Sequence, residues 1–191
     1  MRQAWMRQDE RRVQAAAPSD EELVAAVAST RDAQAFRLLV DRHAARALRV
    51  AERTLVNRAD AEDAVQEAFQ RLWHQARRFD PARGRFVSWF LRVVVNACRD
   101  RRRRAQRRPV TGLLEVEEAA ADLDGVERLD RVHAVREAVA RLPLRQRVAV
   151  VLTYYEGLSN REAAEAMGVS VKAFEALLVR ARRQLLATLS G

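Results

Sequence analysis

The sequence has few of the residues that interrupt helices, and this scarcity already restricts the fold. Its 191 residues include only six glycines and four prolines, which argues against collagen-like, low-complexity and turn-rich all-β proteins. A chain of this length accommodates one large domain or two small ones. Apolar residues make up 49% of the chain, enough for a core, so the composition favours a folded and mainly helical protein.

Residues for metal and redox chemistry are equally scarce. The single cysteine, Cys98, cannot form an internal disulfide or a cysteine zinc cluster. The three histidines are scattered, and no two of them share a helical turn. The sequence also lacks a glycine-rich phosphate loop, an HExxH motif and a Ser/His/Asp set. It therefore predicts no catalytic residues, no enzyme activity, no bound metal and no cofactor.

Long apolar runs are missing as well. No run approaches the roughly 20 residues that a membrane-spanning helix requires. The first residues, MRQAWMRQDERRVQ, carry charge but no apolar stretch of the kind found in secretory signals. We therefore expect a cytoplasmic protein without membrane insertion.

What the chain does have is arginine, distributed unevenly. The net charge is +9, and Lys172 is the only lysine. Residues 99–108 contain seven arginines and one acid, whereas residues 109–127 contain six acids and no base. Such a switch, opened by Pro109 and Gly112, is typical of a linker between domains. A basic balance suggests a polyanionic partner, although net charge alone is weak evidence for one.

Four helices are predicted before the linker. The first begins after Ser19, which pairs with Glu22 in a capping box, and runs to about Ala28. A second spans about 32–54, and a third opens at Asp60 as its N-cap and ends near residue 77. A loop containing Pro81 and Gly84 then leads to a fourth helix over about 86–104.

Four more helices are predicted after the linker, over about 128–141, 144–156, 160–167 and 170–189. The last two have the pattern of a helix-turn-helix: Ala164 is small enough for helix contact, and Gly168 permits a positive φ in the turn. Ser170 is a natural N-cap for the second helix. An ordinary helical hairpin shares some of these features, but the basic second helix favours DNA binding in a major groove.

The first half carries two further polar surfaces. The third predicted helix has a largely acidic face, which by charge alone is more typical of an ordinary solvated helix face. On the fourth helix Arg92, Asn96, Arg99 and Arg103 recur along one side. Such a row can follow a nucleic-acid strand, with arginine for phosphates and asparagine for a base edge.

Together these segments carry a family resemblance. DAEDAVQEAF and FVSWFLRVVVNACRD, then a linker, then LPLRQRVAVVLTYYEGLSNREAAEAMGVSVKAFEALLVRARRQL, resemble an extracytoplasmic-function (ECF, group 4) RNA polymerase sigma factor of the sigma-70 family. The resemblance covers about residues 19–189. It implies two all-α domains joined by a flexible acidic linker: an N-terminal extension (1–18), a region 2 domain (19–104), the linker (105–127) and a region 4 domain (128–191) with the helix-turn-helix.

The resemblance also implies residue roles and partners. Core RNA polymerase, through its β′ coiled coil, is expected to bind Asp60, Asp63, Gln66 and Glu67; the β flap is expected to bind region 4. Residues matching the reader of the −10 promoter element are Phe79, Asp80, Arg83, Arg85, Phe86, Arg92 and Asn96. Arg99 and Arg103, which continue the row of Arg92 and Asn96, are expected to contact the same element. Residues matching the reader of the −35 element are Ser170, Lys172, Ala173, Glu175, Ala176, Arg180 and Arg183. Members of the family are commonly held inactive by an anti-sigma factor, so such a partner is expected here.

Two positions depart from the family's pattern. Some members place a basic or polar residue at the position of Glu175, and an acid there repels phosphate but can accept from a cytosine amine. The loop PARGR is rich in arginine, so its base preference stays open.

Two other classes of function remain to be weighed. A helix-turn-helix regulator that acts without replacing sigma accounts for the second half but not for the pattern in residues 60–104. It would bind duplex DNA alone, whereas a sigma factor of this group needs core polymerase. An enzyme acting on nucleic acid lacks any supporting motif.

Overall fold

The structure, a computed structural model, describes residues 17–107 and 126–190. Residues 1–16 of the predicted extension and 108–125 of the predicted linker lie outside the described residues. The described part contains α-helices, short 3₁₀ turns and one π-helical turn, with no strand. The prediction of an all-α fold with two helical halves is confirmed.

The first half contains four α-helices whose order matches the prediction. They are α1 (Asp20–Thr30), α2 (Ala33–Leu55), α3 (Arg58–Gln75) and α4 (Phe86–Arg107). The Ser19–Glu22 capping box is present at the start of α1, as predicted. Helix α4 runs three residues further into the arginine run than expected, because ion pairs with α3 support its last turns.

The start of α3 corrects one prediction. Its N-cap is Asn57, not Asp60: the Asn57 side chain accepts a hydrogen bond from the Asp60 backbone N–H at 2.8 Å. Asn57 comes first along the chain and has the extended backbone that an N-cap needs, while Val56 ends α2 with a positive φ of 60°. Asp60 therefore lies in the first turn of α3, where its carboxylate can pair with another helix.

The second half contains the remaining helices. They are α5 (Val126–Arg141), α6 (Leu144–Val150), a π-helical turn (Val151–Tyr155), α7 (Asn160–Met167) and α8 (Val171–Leu189). The single helix expected over 144–156 is thus an α-helix that widens into a π-helical turn. Ser159 and Glu162 form a second capping box, at the start of α7.

The two halves are packed against each other, which the linker prediction alone did not anticipate. Helix α4 packs on α7, and α2 packs on α6 and the π-helical turn. One apolar cluster runs through both halves, joining for example Leu39 and Phe90 to Leu152 and Phe174. Its burial stabilises the arrangement, since apolar area removed from water contributes roughly 25 cal/mol per Å².

Candidate nucleic-acid interface

The helix-turn-helix has the geometry that its sequence predicts. Gly168 adopts a left-handed φ of 64° at the end of α7. The backbone N–H of Val169 then donates to the Ala164 carbonyl at 3.0 Å, which closes the turn. Ser170 caps α8 by accepting from the Ala173 backbone N–H at 3.2 Å. This turn holds α8 in a fixed orientation on α7.

Helix α8 has a packing face and a solvent face. Its buried residues are Phe174, Leu177, Leu178 and Ala181. Every residue predicted to read the −35 element is exposed: Ser170, Lys172, Ala173, Glu175, Ala176, Arg180 and Arg183. The Asn160 side-chain amide donates to the Glu175 carboxylate at 3.3 Å and so restrains the one acid on this face.

The loop between α3 and α4 is held by its own backbone and by an aromatic cluster. Asp80 accepts from the Ala82 backbone N–H at 3.0 Å and caps a 3₁₀ turn, Pro81–Arg83. Phe79 packs edge-on against Phe86, with ring centroids 5.8 Å apart. Phe86 is completely buried, so its ring supports the loop from below and is not available to DNA in this arrangement. Arg83 and Arg85 are exposed.

The polar row on α4 lies along an open cleft. Asn96, Arg99 and Arg103 line it together with Arg102, and Pro143–Leu144 at the start of α6 forms the opposite wall. The cleft has a volume of about 740 Å³. Among the described residues, Arg99 and Arg102 have no carboxylate within ion-pair distance, so the cleft offers unneutralised guanidinium groups to an anionic ligand.

Arg92, at the other end of the row, lies apart from this cleft. Its guanidinium packs on the turn of the helix-turn-helix, where a Cβ added to Gly168 would lie 3.3 Å from an Arg92 Nη atom. Gly168 is thus required twice: for its left-handed backbone and for the close approach of Arg92. The structure brings Asn96, Arg99 and Arg103 together but places Arg92 against the second half.

The acidic face of α3 is paired with arginines of α4. Arg101 bridges Asp60, at 2.8 Å, and Asp63. Glu67 pairs with Arg71 at 2.5 Å and with Arg104 at 3.1 Å. Gln66 is exposed on the same helix. The surface predicted to bind polymerase is therefore a mixed carboxylate–guanidinium network and not a bare acidic patch.

The pKa shifts follow from these contacts. The hydrogen bond from Arg104 is the main cause that lowers the pKa of Glu67, and the hydrogen bond with Asp60 raises the pKa of Arg101. Both groups are thus held charged. For Cys98, by contrast, burial favours the neutral form and raises the pKa of the thiol to about 12. Cys98 is a packed, neutral side chain.

Arg101 and Arg104 form ion pairs with the carboxylates predicted to bind polymerase, and the sequence analysis did not predict these contacts. The signal was present in the helical spacing, because residues 101 and 104 lie about 100° or more around α4 from the row formed by 99 and 103. The arginine run therefore divides between two surfaces. Arg147 and Glu156, which join the two halves, were also missed, and no local pattern distinguished them from solvent-exposed charges.

Other kinds of site find no support in the described residues. No group of three or more His, Cys, Asp or Glu side chains there could hold a metal ion. None of the described helices is long and apolar enough to cross a membrane.

The fold is that of two small helical bundles, of which the second contains a helix-turn-helix, a motif typical of DNA-binding proteins. The family model for Sigma-70 region 2 matches residues 39–108, and that for Sigma-70 region 4 matches residues 133–185. The chain belongs to the sigma-70 family and is an ECF sigma factor. It is thus a transcription initiation factor that works with RNA polymerase at promoter DNA. The members of this family are not enzymes.

Relatives of known family support this assignment. The RNA polymerase sigma factor NccH of Alcaligenes xylosoxydans xylosoxydans is 37% identical over 182 residues, covering 91% of this chain and 97% of the relative. The ECF RNA polymerase sigma factor SigM of Mycobacterium tuberculosis is 37% identical over 169 residues, covering 87% and 83%. Among solved structures, CnrH in complex with the cytosolic domain of CnrY has a TM-score of 0.65 and 33% identity, covering 90% of this chain and 97% of CnrH.

Proposed function

We propose that the two halves of this sigma factor divide the promoter between them. Residues 128–191 read the −35 element as duplex, and residues 19–104 bind core polymerase and open the −10 element. The linker, 105–127, connects the two. The observation that carries this proposal is the orientation of α8: every predicted −35 contact is exposed, whereas Phe174, Leu177, Leu178 and Ala181 on its packing face are buried.

Recognition of the −35 element rests on the chemistry of that face. Ser170 is the N-cap of α8 and Lys172 lies in its first turn, at the end that enters a major groove in this motif. Arg180 and Arg183 follow on later turns, where guanidinium groups suit phosphates or guanine edges. Glu175 is suited to accept a hydrogen bond from a cytosine amine. The hydrogen bond that it accepts from Asn160 orients its carboxylate.

Recognition of the −10 element rests on the loop 79–86 and on α4. Arg83 and Arg85 project from a tightly capped turn, and Asn96, Arg99 and Arg103 continue along the cleft. Arginines contact phosphates while an asparagine amide can pair with a base edge. Capture of an unstacked base in the loop costs a few kcal/mol and selects for easily opened steps.

Docking on polymerase is assigned to the face of α3. Asp60, Asp63, Gln66 and Glu67 are presented together there, and we assign their partner as the β′ coiled coil, with the β flap binding region 4. The carboxylates already bind guanidinium groups of their own chain. A cationic coiled coil would exchange one set of guanidinium partners for another, which limits the desolvation cost of docking.

Control by an anti-sigma factor is the last part of the proposal. CnrH, a relative with similar structure, was solved in complex with the cytosolic domain of CnrY. We assign a protein partner of this kind to the present chain, which would act in the cytoplasm. Purification of the tagged chain from its own cells tests this: co-elution of a further stoichiometric protein supports the assignment, and elution only as monomer or with polymerase counts against it.

The promoter function is tested by run-off transcription. Core polymerase is incubated with fragmented host DNA, with and without the chain, and the 5′ ends of transcripts are sequenced. New starts that share two upstream elements at a fixed spacing are the expected result. The absence of new starts, with a core enzyme that responds to another sigma factor, would overturn the proposal. The exposed Arg136→Ala variant, outside all predicted contacts, is the matched control for variants on α8.

A further inference from the structure

Both ends of the loop between α3 and α4 are tied to the same helix, α1. At the far end, the backbone N–H of Phe86, the first residue of α4, donates to the Glu21 carboxylate at 3.0 Å, across 65 positions of sequence. At the near end, the backbone carbonyl of Trp73, in the last turn of α3, accepts a hydrogen bond from Arg31, the residue that ends α1. Helix α1 therefore lies across the base of the loop that is assigned to the −10 element.

The contact at the near end is reciprocal. Arg77, in the 3₁₀ turn Ala76–Arg78 that opens the loop, donates through Nε to the Ala28 carbonyl of α1 at 2.8 Å. The Arg31 guanidinium also lies over the Trp73 ring, with 5.6 Å from its carbon to the ring centroid. The last carbonyl groups of a helix have no partner within that helix. Each of the two helices thus receives a guanidinium from the other at its C-terminal end, where the helix dipole favours a cation.

The contact at the far end supplies the first turn of α4 with a hydrogen-bond acceptor. The usual N-cap residues, Ser, Thr, Asp and Asn, offer a side-chain oxygen to one of the first backbone N–H groups of a helix. Arg85 precedes α4, and an arginine side chain carries donors but no acceptor. The oxygen comes instead from Glu21 on another helix, and its negative charge is favoured at a helix N-terminus. The start of α4, which is also the end of the loop, therefore depends on α1.

The start of α1 is itself fixed to α2. Arg42 donates to the Asp20 carboxylate at 2.9 Å, and His43 Nε2 lies 2.7 Å from the other Asp20 oxygen, within hydrogen-bond distance. The buried His43 ring lies against the ring of Phe86, with centroids 5.3 Å apart. Phe86 is thus held at two points: its backbone N–H binds Glu21, and its ring packs on a residue that Asp20 orients.

We propose that α1 is a brace for the −10 loop, formed by the contacts Glu21–Phe86, Arg31–Trp73 and Arg77–Ala28, and that Glu21 is a positioning residue for promoter opening. The brace fixes both ends of the loop in the conformation that receives an unstacked base. A loop that is already ordered binds its ligand without the entropic cost of being ordered on binding. This inference rests on the proposed role of the loop at the −10 element.

The charge of Glu21 makes its positioning role separable from direct contact with DNA. A carboxylate repels phosphate, so its removal beside a DNA-binding loop would by charge alone strengthen binding. A loss of function on removal is therefore the signature of positioning. Glu21→Gln keeps an oxygen that can accept from the Phe86 N–H and removes only the charge, whereas Glu21→Ala removes both.

Hydrogen exchange of the full chain, resolved at the backbone amides of residues 79–89, tests the brace itself. Glu21→Ala is expected to speed exchange at Phe86 by about fivefold, the factor typical of a lost helix cap, and Glu21→Gln should stay close to wild type. Glu52→Ala, which removes a carboxylate near the C-terminal end of α2, is the control. Circular dichroism must show unchanged helix content. If Glu21→Ala loses it, Arg31→Ala replaces it as the variant, with the exposed Arg37→Ala as its control.

Promoter opening provides the second measurement. Core polymerase with each variant is placed on a promoter found by run-off transcription, and permanganate reactivity of the −10 thymines is followed in time. Glu21→Ala is expected to open the duplex about fivefold more slowly, and Glu21→Gln should recover most of the wild-type rate. On a template whose −10 element is already mismatched, Glu21→Ala should transcribe about as well as wild type. A chain that is merely destabilised would lose activity on both templates.

Three results would overturn the inference: unchanged exchange at Phe86 in Glu21→Ala, wild-type opening by that variant despite faster exchange, or equal opening rates for Glu21→Ala and Glu21→Gln. The exposed loop variants Arg83→Ala and Arg85→Ala distinguish these failures from a failure of the proposed function. Wild-type opening by both loop variants would remove the loop from the −10 element. Slower opening by the loop variants, together with wild-type opening by Glu21→Ala, would remove only the brace.

Discussion

Arg101 Nε donates a hydrogen bond to Asp60 Oδ1 at 2.8 Å, across 41 positions of sequence. The same guanidinium binds Asp63. Helix α4, assigned to the −10 element, and helix α3, assigned to polymerase, are thus connected through shared ion pairs. A substitution on either helix can therefore alter the function assigned to the other helix.

Asp63→Arg is expected to weaken binding to core polymerase by tenfold or more. The new cation would meet the cations of the docking partner, and like charges at an interface cost several kcal/mol. Fluorescence anisotropy of the labelled chain titrated with core enzyme measures the effect. Glu62→Arg, the same change on the neighbouring and more exposed position of α3, is the control. Equal affinity of Asp63→Arg and wild type would remove α3 from the docking surface.

Arg101→Ala is expected to act in the opposite direction. It frees Asp60 and Asp63 for polymerase, so binding to core enzyme should tighten severalfold. The chain itself should lose only about 0.5–1 kcal/mol of unfolding free energy, because these half-exposed pairs are screened by solvent. Urea denaturation and the anisotropy titration give the two values. A weaker complex would show that Arg101 is itself a polymerase contact.

Asn96→Ala is expected to slow promoter opening by about tenfold or more, since a good base-edge contact is worth about 1–3 kcal/mol. Permanganate reactivity of thymines in the −10 element reports the opened strand. Gln106→Ala, which alters another side chain of the same cleft, should leave opening unchanged. Wild-type opening by the Asn96 variant would disprove its assignment as a base contact.

Arg180→Ala is expected to reduce affinity of the holoenzyme for promoter duplex by about 1–3 kcal/mol if it makes a bidentate base contact. A phosphate contact would instead reduce the slope of log affinity against log salt by about one. Titrations at several salt concentrations distinguish the two roles, with Arg136→Ala as control. No loss at any salt concentration would place Arg180 in solvent.

Cys98 is expected to be nearly inert to thiol reagents in the folded chain. Its pKa of about 12 compares with an ordinary value of 9.0, so the reactive thiolate fraction falls roughly a thousandfold. The Cys98 side chain is also buried, which adds steric protection. Reaction with Ellman's reagent should be slow in buffer and rapid in urea, and Cys98→Ala should give no signal. Rapid labelling of the folded chain would instead indicate an accessible, oxidisable thiol.

Short-range patterns account for what could be predicted. The Ser19–Glu22 capping box, the helix-turn-helix and the exposed face of α8 each depend on residues within about four positions of one another, so local chemistry specifies them. The N-cap of α3 shows the limit: Asn57 and Asp60 are both good caps, and the tight turn after Val56 decided between them. The roles of the arginines in residues 99–108 were predictable only in part. Their spacing shows which of them share a face of α4, but it does not show which other helix or ligand each face contacts.

The sequence by itself therefore determined the helices, the caps at Ser19 and Ser170, the two-part organisation and the family. Tertiary structure alone decided that Arg101 and Arg104 pair with α3, that Arg92 lies on Gly168, and that Arg147 is buried between the halves. The physical reason is distance along the chain. Helix propensity and capping act within one or two turns, whereas these contacts join residues 37 to 93 positions apart, and their formation depends on how whole helices pack.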